Sequence, residues 1–398
     1  MKCRNFSWKT PILLLLVVLS MSGCMGIGSN NGKQVATGKN GQQVTVKQDA
    51  FKGKFYLTIN HNLYVLNGNN TSTDLVKTGN VYDPAVSPDG KWIAFIEKSK
   101  QYSDLDLIST SGGAVKTLRT GNGRFKYDGP FLKNTYIWYG QPAWSADGST
   151  LLFLSDFQKE DWYADTTDAP MLDMQVYSVP FSNPAAKPVA VAYATFGDGG
   201  NRDVGYRPGH PNQIIYTHYA YDAKTETQQD IQLYMEDPTT IGQNPYKYYP
   251  GMPGGGFDPS IAITTPDKEN IEPAFSPNGN AIAYVQRNAN LTAMTLNIMP
   301  APPDSITLTP NDTKTQALAL QTYQTQSTQL LSEMYIEQPV WSPDGTQLAY
   351  IQYTGGTFDL WIANLTQNAK TGVYSVKGTP TQITTGGVDG ESRPVWTN

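Results

Sequence analysis

Residues 337–351 read EQPVWSPDGTQLAYI, and closely similar stretches occur three more times in the chain. They are DPAVSPDGKWIAF at 83–95, QPAWSADGSTLLF at 141–153 and EPAFSPNGNAIAY at 272–284. The central Ser-Pro-Asp-Gly favours a tight turn, because Pro presets its φ, Asp bonds the turn backbone and Gly accepts a positive φ. Apolar and polar residues alternate on both sides, as in strands. Each copy is therefore predicted to be a β-hairpin.

The hairpin is one part of a longer repeat. A degenerate copy, YRPGHPNQIIYTHY, and a truncated one, SRPVWTN, extend the set of anchoring prolines to Pro84, Pro142, Pro208, Pro273, Pro339 and Pro394. Their spacing of 55 to 66 residues leaves room for two further strand-like runs in each unit, such as FDLWIANL at 358–365 and TPTQITTG at 379–386. Four-stranded units repeated around an axis build a β-propeller. We predict an all-β fold, a six-bladed β-propeller of four-stranded blades.

The two ends of the chain complement each other. The last unit has only its first strand, RPVWTN, whereas the domain opens with KFYLTIN, NLYVLNG and STDLVKTG, three strands without a first. We therefore expect the C-terminal strand to pair with the N-terminal three strands and to close the ring.

The repeat P-x-W-S-P-D-G-x-x-[LI]-A-[FY] resembles that of TolB-type propellers, which also occurs in the propellers of prolyl-oligopeptidase-like peptidases. The resemblance covers residues 52–398 and implies the fold, but a fold does not imply a function. The α/β domain that precedes the propeller in TolB proteins has no counterpart in residues 1–50, so a Pal-like partner is not implied. A Gly-x-Ser-x-Gly motif is also absent from the sequence. Asp89 and Asp344 are interpreted as turn residues rather than catalytic ones.

The first residues are typical of a secretory signal. Basic residues precede the apolar run PILLLLVVLSM, which is too short to span a bilayer. The following Met-Ser-Gly-Cys resembles a bacterial lipobox, with Met in place of the usual Leu. We predict a lipoprotein signal peptide at 1–23, a lipidated Cys24 with a flexible tether at 24–50, and the propeller at 51–398. The alternative is an ordinary signal with an incidental Cys24.

The composition narrows the function classes. Lys and Arg number 29 against 34 Asp and Glu, a net charge of -5, which does not indicate nucleic-acid binding. The chain has only three histidines, His61, His210 and His218. His210 and His218 flank a predicted turn and either face each other as a metal-binding pair or are ordinary surface and packing residues.

Two long segments on one face of the predicted propeller are rich in aromatic residues. They are 123–141 and 156–173, and the predicted binding face consists of Phe125, Tyr127, Tyr136, Trp138, Tyr139, Trp162 and Tyr163. Trp and Tyr are enriched at energetically dominant positions of interfaces. The alternative is that these rings cover the gap between two blades.

Acidic residues stand close to the blade anchors. They are Asp83, Asp203, Glu272, Glu337 and Glu391, and we expect them to line the mouth of the central channel. Clustered carboxylates would focus a negative potential there and attract a cation or a basic partner segment. The alternative is that they solvate the links or bond neighbouring amides.

These observations predict a monomeric, extracytoplasmic lipoprotein, anchored to a bacterial membrane through Cys24, that binds an envelope protein or glycan with one propeller face. A divalent cation at the channel mouth is the one cofactor that the sequence leaves open. The rival hypothesis is an envelope hydrolase or lyase acting on peptide or sugar polymers, for which the sequence nominates no catalytic residue. A third, a structural spacer, would have an even polar surface, which the aromatic segments disfavour.

Overall fold

The computed structural model describes residues 32–39, 41–69, 71–123, 126–128, 131–133, 136–157, 173–192, 199–221, 229–237, 260–287, 293–304 and 313–398, with the backbone alone at 126–128, 131–133, 220–221 and 229. The predicted signal peptide and Cys24 lie outside the described residues. Within the described part of the chain, no helix has the length and hydrophobicity to cross a bilayer.

Thirty strands and one helix make up the described structure. In the first third of the chain the strands are β1 (Gly32–Thr37), β2 (Gln43–Lys47), β3 (Lys54–Ile59), β4 (Asn62–Asn67), β5 (Ser72–Val76), β6 (Val81–Val86), β7 (Trp92–Lys98), β8 (Ser103–Ser109), β9 (Lys116–Arg119), β10 (Lys126–Asp128) and β11 (Phe131–Lys133). The middle of the chain forms β12 (Tyr139–Trp144), β13 (Thr150–Ser155), β14 (Gln175–Pro180), β15 (Val189–Ala192), β16 (Asn201–Arg207), β17 (His210–Tyr221), β18 (Gln229–Glu236), β19 (Ile261–Ala262), β20 (Glu269–Phe275), β21 (Ala281–Arg287) and β22 (Met294–Pro300). The last part forms α1 (Thr313–Gln326), β23 (Thr328–Glu333), β24 (Ile336–Trp341), β25 (Gln347–Thr354), β26 (Thr357–Gln367), β27 (Tyr374–Val376), β28 (Thr381–Gln382), β29 (Thr384–Thr385) and β30 (Val395–Thr397).

The strands form consecutive antiparallel sheets, which are the blades. Blade I is β30-β3-β4-β5, blade II is β6 to β9, blade III is β12 to β15, blade IV is β16 to β19, blade V is β20 to β23 and blade VI is β24 to β28. The C-terminal strand pairs with β3, Trp396 opposite Phe55, so the predicted closure is confirmed. β10 and β11 form a separate two-stranded ribbon in the link between blades II and III.

The prediction of six blades is wrong. A further three-stranded sheet, β1-β2-β29, brings the propeller to seven, and we call it blade VII. It adjoins blade VI directly: β28 pairs with β26, and β29, one residue later, pairs with β2.

Blade VII includes residues 32–47, where the structure differs from the expected tether. The composition of this stretch is that of a linker, but Val44 and Val46 alternate with Thr45 as in a strand. Both valines are buried in an apolar cluster with Ile383 and Phe55. This short alternation, surrounded by Gly, Asn and Gln, was the missed signal.

Apolar side chains pack between neighbouring blades. Ile93 and Phe95 of blade II, for example, contact a cluster that contains Tyr56 and Leu63 of blade I. Indole groups add hydrogen bonds between neighbouring blades. Trp144 Nε1 of blade III donates to the Ala85 carbonyl of blade II, and Trp341 Nε1 of blade VI to the Ala274 carbonyl of blade V, both at 3.0 Å. A blade therefore depends on its neighbour for both burial and hydrogen bonding.

The Thr/Gln-rich insertion at 301–330 contains α1. Its buried residues are Thr315, Ala319 and Tyr323, which recur every four positions and so share one helix face. The Tyr323 ring packs against Tyr284 at 6.2 Å. Polar residues on the other faces obscured this short apolar stripe.

The repeated turns have one pattern of hydrogen bonds. Ser342 Oγ donates to Asp344 Oδ1 at 2.6 Å and accepts the Gln347 N–H at 2.9 Å. The same two bonds recur at Ser87, Ser145 and Ser276. The turn glycines have φ between 70° and 72°. The predicted hairpins are thus confirmed, and Asp89 and Asp344 serve the turns.

Replacing the turn serine tests how much this pattern stabilises the fold. Ser342→Ala removes two hydrogen bonds from a side chain only 2% exposed, so the free energy of unfolding should fall by roughly 1 to 2 kcal/mol. Denaturant titration of both proteins measures the difference. The control is Ser332→Ala on an exposed position of β23, which should stay within about 0.5 kcal/mol of wild type. Equal losses in both variants would contradict the role of the turn.

Candidate functional site

One residue in each of five first strands has an unusual backbone. The pairing register shifts there, as in a β-bulge, and φ is positive. These residues, which we call the channel ring, are Asp83 (φ 50°), Gln141 (40°), Asp203 (60°), Glu272 (56°) and Gln338 (53°). First strands surround the axis of a propeller, so the ring marks its central channel.

The channel-ring side chains bond the backbone of the next blade. Gln141 Oε1 accepts the Asp203 N–H at 2.5 Å, and Asp203 Oδ2 accepts the Glu272 N–H at 3.3 Å. Glu272 Oε2 in turn accepts the Gln338 N–H at 2.6 Å. Side-chain amides add further bonds, from Gln141 to Asp203 and from Gln338 to Glu272. Four consecutive blades are therefore joined at this level.

Arg393 joins the channel ring to the closing link, the segment between β29 and β30. Its backbone N–H donates to Asp83 Oδ1 at 3.2 Å, and the Asp83 N–H donates to Ser392 Oγ at 2.9 Å. The Arg393 guanidinium reaches blade IV, where Nη1 donates to the Val204 carbonyl at 3.3 Å and Nη2 lies 3.7 Å from Asp203 Oδ1. One arginine thus connects blades that are not neighbours and neutralises part of the acidic charge.

Burial and mutual repulsion favour protonated carboxyls here. Burial, followed by the charges of Asp203 and Glu337, raises the pKa of Glu272 well above its ordinary value. Burial, followed by the charge of Glu391, raises the pKa of Glu337 to about 7, although Arg287 opposes this. Burial also raises the pKa of Asp83, against the opposing charge of Lys98. Glu337 is therefore the carboxyl of this group whose pKa lies near neutral pH.

A second group of titratable residues lies beside the ring. His61, in the β3–β4 turn, has ring nitrogens 3.6 Å from Asp389 Oδ2 and 3.5 Å from Glu391 Oε1. The backbone N–H of His61 donates to Asp389 Oδ2 at 2.7 Å, and the Tyr82 ring stacks on the imidazole with 4.4 Å between the ring centroids. Lys39, between β1 and β2, places Nζ 3.1 Å from Glu391 Oε1 and 3.7 Å from Asp389 Oδ1.

An exposed apolar patch borders this site. Met334 is 62% exposed, Tyr335 41% and Tyr353 40%. The two tyrosines form an edge-to-face pair at 6.0 Å, and Tyr353 also contacts Phe358 at 5.1 Å. We call Met334, Tyr335 and Tyr353 the exposed patch, whereas Phe358 is partly buried against a core cluster. The exposed patch lies where the link into blade VI meets the β25–β26 turn.

The five predicted acids lie in or next to the channel ring. Asp83, Asp203 and Glu272 belong to the channel ring, while Glu337 and Glu391 lie beside it, electrostatically coupled to one another. Sequence reasoning missed Gln141 and Gln338, although both directly precede a repeat proline as Asp83 and Glu272 do. It also placed the blade IV anchor at Pro208, whereas the bulge falls at Asp203 and Val204.

The predicted aromatic face is described only in part. Phe125, Trp162 and Tyr163 lie outside the described residues, and Tyr127 is in β10 with its backbone alone described. Tyr136 stacks on Tyr102 at 6.0 Å. Trp138 is half-buried against the blade III–IV cluster.

Tyr139, another member of the predicted aromatic face, is a core residue. It is 3% exposed and packs edge-on against Phe153. Its ring is therefore not available for docking.

The two other histidines do not form a pair. His210 pairs with Arg207 at one end of the β16–β17 ladder, and His218 pairs with Asn201 at the other. His210 Nε2 lies 3.1 Å from Asp304 Oδ1, and His218 Nδ1 lies 2.6 Å from Asn201 Oδ1. Their partners Arg207 and Asn201 are six positions apart in β16, so on the order of 15 to 20 Å separates the two histidines, too far for a shared metal.

The pKa of Glu337 generates a pH-dependent prediction. Because it is raised from 4.5 to about 7, the carboxyl opposes folding increasingly as the pH rises through that interval. Glu337→Gln should therefore become more stable than wild type by up to roughly 3 kcal/mol at pH 8, with little difference near pH 4.5. Denaturant unfolding across this range measures the change.

The matched control for Glu337→Gln has the opposite sign. The Ser342 hydroxyl and the Thr346 N–H lower the pKa of Asp344, so this carboxylate stabilises the fold above its unfolded pKa. Asp344→Asn should lose stability at neutral pH, although Asn278 occupies the equivalent turn position in blade V. A pH-independent gain in Glu337→Gln would show that its charge is not the cause.

Comparison with known proteins concerns the fold alone. No protein-family model and no curated protein matches the sequence. Among solved structures, TolB from Acinetobacter baumannii aligns over 88% of this chain and 68% of its own, at 17% identity and a TM-score of 0.53. A putative TolB from Agrobacterium tumefaciens (86% and 92% coverage, 13% identity, TM-score 0.46) and an oligogalacturonate lyase in complex with manganese (86% and 82%, 12%, 0.45) are more distant. The chain therefore has a TolB-like β-propeller fold.

Proposed function

We propose that this protein is a membrane-anchored extracytoplasmic binding protein that docks an envelope protein at the channel mouth. The observation that carries the proposal is the exposed patch beside the acidic residues. Exposed apolar side chains grouped on a soluble surface favour protein contacts, and Tyr is over-represented among energetically dominant interface residues.

Phe358 brings the exposed patch close to the acids. Phe358 packs closely against the link that carries Gly390, where an added Cβ would lie 3.1 Å from both Phe358 Cγ and Glu337 Oε2. Tyr335 and Tyr353 are held together by a backbone hydrogen bond from the Tyr353 N–H to the Tyr335 carbonyl at 3.2 Å. A partner on the tyrosines would therefore also approach Glu337 and Glu391.

The charge of this surface favours a partner with a basic segment. Glu391 is half-exposed; burial opposes its ionisation, but a backbone hydrogen bond, Lys39 and His61 together lower its pKa. It thus carries negative charge at neutral pH beside the exposed patch. Carboxylates at a concave mouth focus the potential and steer basic ligands toward it. The proposed complex should therefore weaken as the salt concentration rises.

Site-specific photocrosslinking in the protein's own cells tests the docking face. A photoreactive phenylalanine analogue replaces Tyr335 or Tyr353 in the full-length chain, and we expect one discrete protein adduct at both positions. The control position is Trp92, which is 38% exposed but begins the second strand of blade II, whereas Tyr353 ends the second strand of blade VI. The two positions therefore face opposite ends of the propeller.

Each outcome of this crosslinking experiment is informative. A protein adduct at Tyr335 and Tyr353, absent at Trp92 and reduced in Glu391→Gln, supports the proposal. Adducts with carbohydrate alone would replace the protein partner by a glycan. Equal labelling at Trp92, or no adduct at either tyrosine, would contradict docking at the channel mouth.

Membrane anchoring is a separate part of the proposal and rests on Cys24. Wild-type protein should incorporate labelled fatty acid and partition into the detergent phase, whereas Cys24→Ser should do neither. Labelling of Cys24→Ser at the wild-type level would exclude this residue as the lipidation site. The corresponding Cys3→Ser variant is the control, because Cys3 belongs to the predicted signal peptide.

A second candidate function is favoured by the convergence of His61, Asp389 and Glu391. A histidine next to two carboxylates, with the pKa of nearby Glu337 raised to about 7, is an arrangement suited to general acid–base chemistry. It fits the rival hypothesis of a hydrolase or lyase acting on peptide or sugar polymers. Turnover of such a polymer that is lost in His61→Ala would favour this function over binding alone.

A further inference from the structure

We propose that His61, Asp389 and Glu391 form a divalent metal site that fastens the closing link of the propeller to blade I, and that Lys39 competes for it. One imidazole nitrogen and one oxygen from each carboxylate lie within 4.8 Å of one another. No other such group of three occurs among the residues that the structure describes.

The separations suit a metal with little rearrangement. Ligand atoms about 2.0 to 2.2 Å from a tetrahedral ion are about 3.4 Å apart, and the imidazole lies 3.6 Å from Asp389 Oδ2 and 3.5 Å from Glu391 Oε1. Only one ring nitrogen can bind a given ion, so the second carboxylate must approach by a small side-chain rotation. Glu391 can do this because its side chain is 51% exposed.

The surroundings of His61 also favour a ligand. His61 Nδ1 is buried and makes no hydrogen bond, which is unusual for a buried polar atom. Nε2 lies 3.3 Å from the Tyr82 hydroxyl, a contact of the kind that orients metal-binding imidazoles. Asp389 is held by the His61 N–H, and its side chain is only 2% exposed.

Lys39 already supplies a positive charge to the two carboxylates. It arrives from the turn between β1 and β2, so blade VII contributes a side chain to the site. The Lys39–Glu391 pair is half-exposed on both sides, 50% and 51%, and exposed ion pairs are weak. A divalent ion that gains an imidazole and two carboxylates should displace the ammonium.

The donor set indicates the class of ion. Imidazole nitrogen favours zinc and related transition metals, while carboxylate oxygen also suits manganese. Calcium takes six to eight oxygen ligands and should bind poorly to this set. The site is thus expected to bind Zn²⁺ or Mn²⁺ in preference to Ca²⁺.

Such an ion would connect distant parts of the chain. His61 belongs to blade I, while Asp389 and Glu391 precede β30, the strand that closes the ring. Binding to the folded state alone raises its stability. The inference concerns this closing link and does not depend on the docking partner proposed above.

Metal titration of the chelator-treated full-length protein tests the proposal. Isothermal calorimetry and elemental analysis with Zn²⁺ and Mn²⁺ should give one ion per chain and a higher melting temperature. Affinity should fall at least tenfold in His61→Ala and in Glu391→Gln, a half-exposed position where folding is not at risk. It should rise two- to tenfold in Lys39→Met.

The control is His210→Ala, which removes a histidine from another blade and should leave the affinity unchanged. No saturable binding in either wild type or Lys39→Met would overturn the proposal. So would binding that persists at wild-type affinity in both His61→Ala and Glu391→Gln.

Discussion

The β-bulge in the first strand of blades II to VI is the constraint on which the rest of the structure depends. A positive φ at a non-glycine residue costs about 1 to 3 kcal/mol, and five blades adopt one at the same position. The bulge directs Gln141, Asp203 and Glu272 so that each accepts a backbone N–H of the next blade. The hydrogen bonds between blades thereby offset the local backbone strain. Apolar clusters pack between the same blades.

The same arrangement explains why the channel mouth is chemically distinctive. A carboxylate can accept an N–H from the next blade, but burying several of them together penalises their charge. Burial and neighbouring acids accordingly raise the pKa of Glu272 and Glu337, and Arg393 supplies only part of the balancing charge. Glu272 therefore combines both properties, because it accepts the Gln338 N–H of the next blade and its pKa is raised.

Both ends of the described chain meet at this mouth. β30 closes blade I, and β1 and β2 form blade VII with β29. Lys39, in the turn between β1 and β2, reaches Asp389 and Glu391. Ring closure is a non-local contact that must hold the whole propeller together. Hydrogen bonds, ion pairs and the proposed metal site are concentrated at this junction. They stabilise the place where the ring closes between segments that are far apart in the sequence.

The sequence by itself determined the hairpins, the four-stranded unit and the closing strand, because turn chemistry and alternation act over a few residues. It also indicated Asp83, Asp203, Glu272, Glu337 and Glu391 through their position before the anchors. Only the tertiary structure decided the seventh blade, the burial of Tyr139, and the meeting of His61 and Lys39 with Asp389 and Glu391. The contacts of β2 with β29, of His61 with Asp389 and of Lys39 with Glu391 join residues more than 300 positions apart, and no local pattern encodes which distant strand edge or loop a short segment will meet.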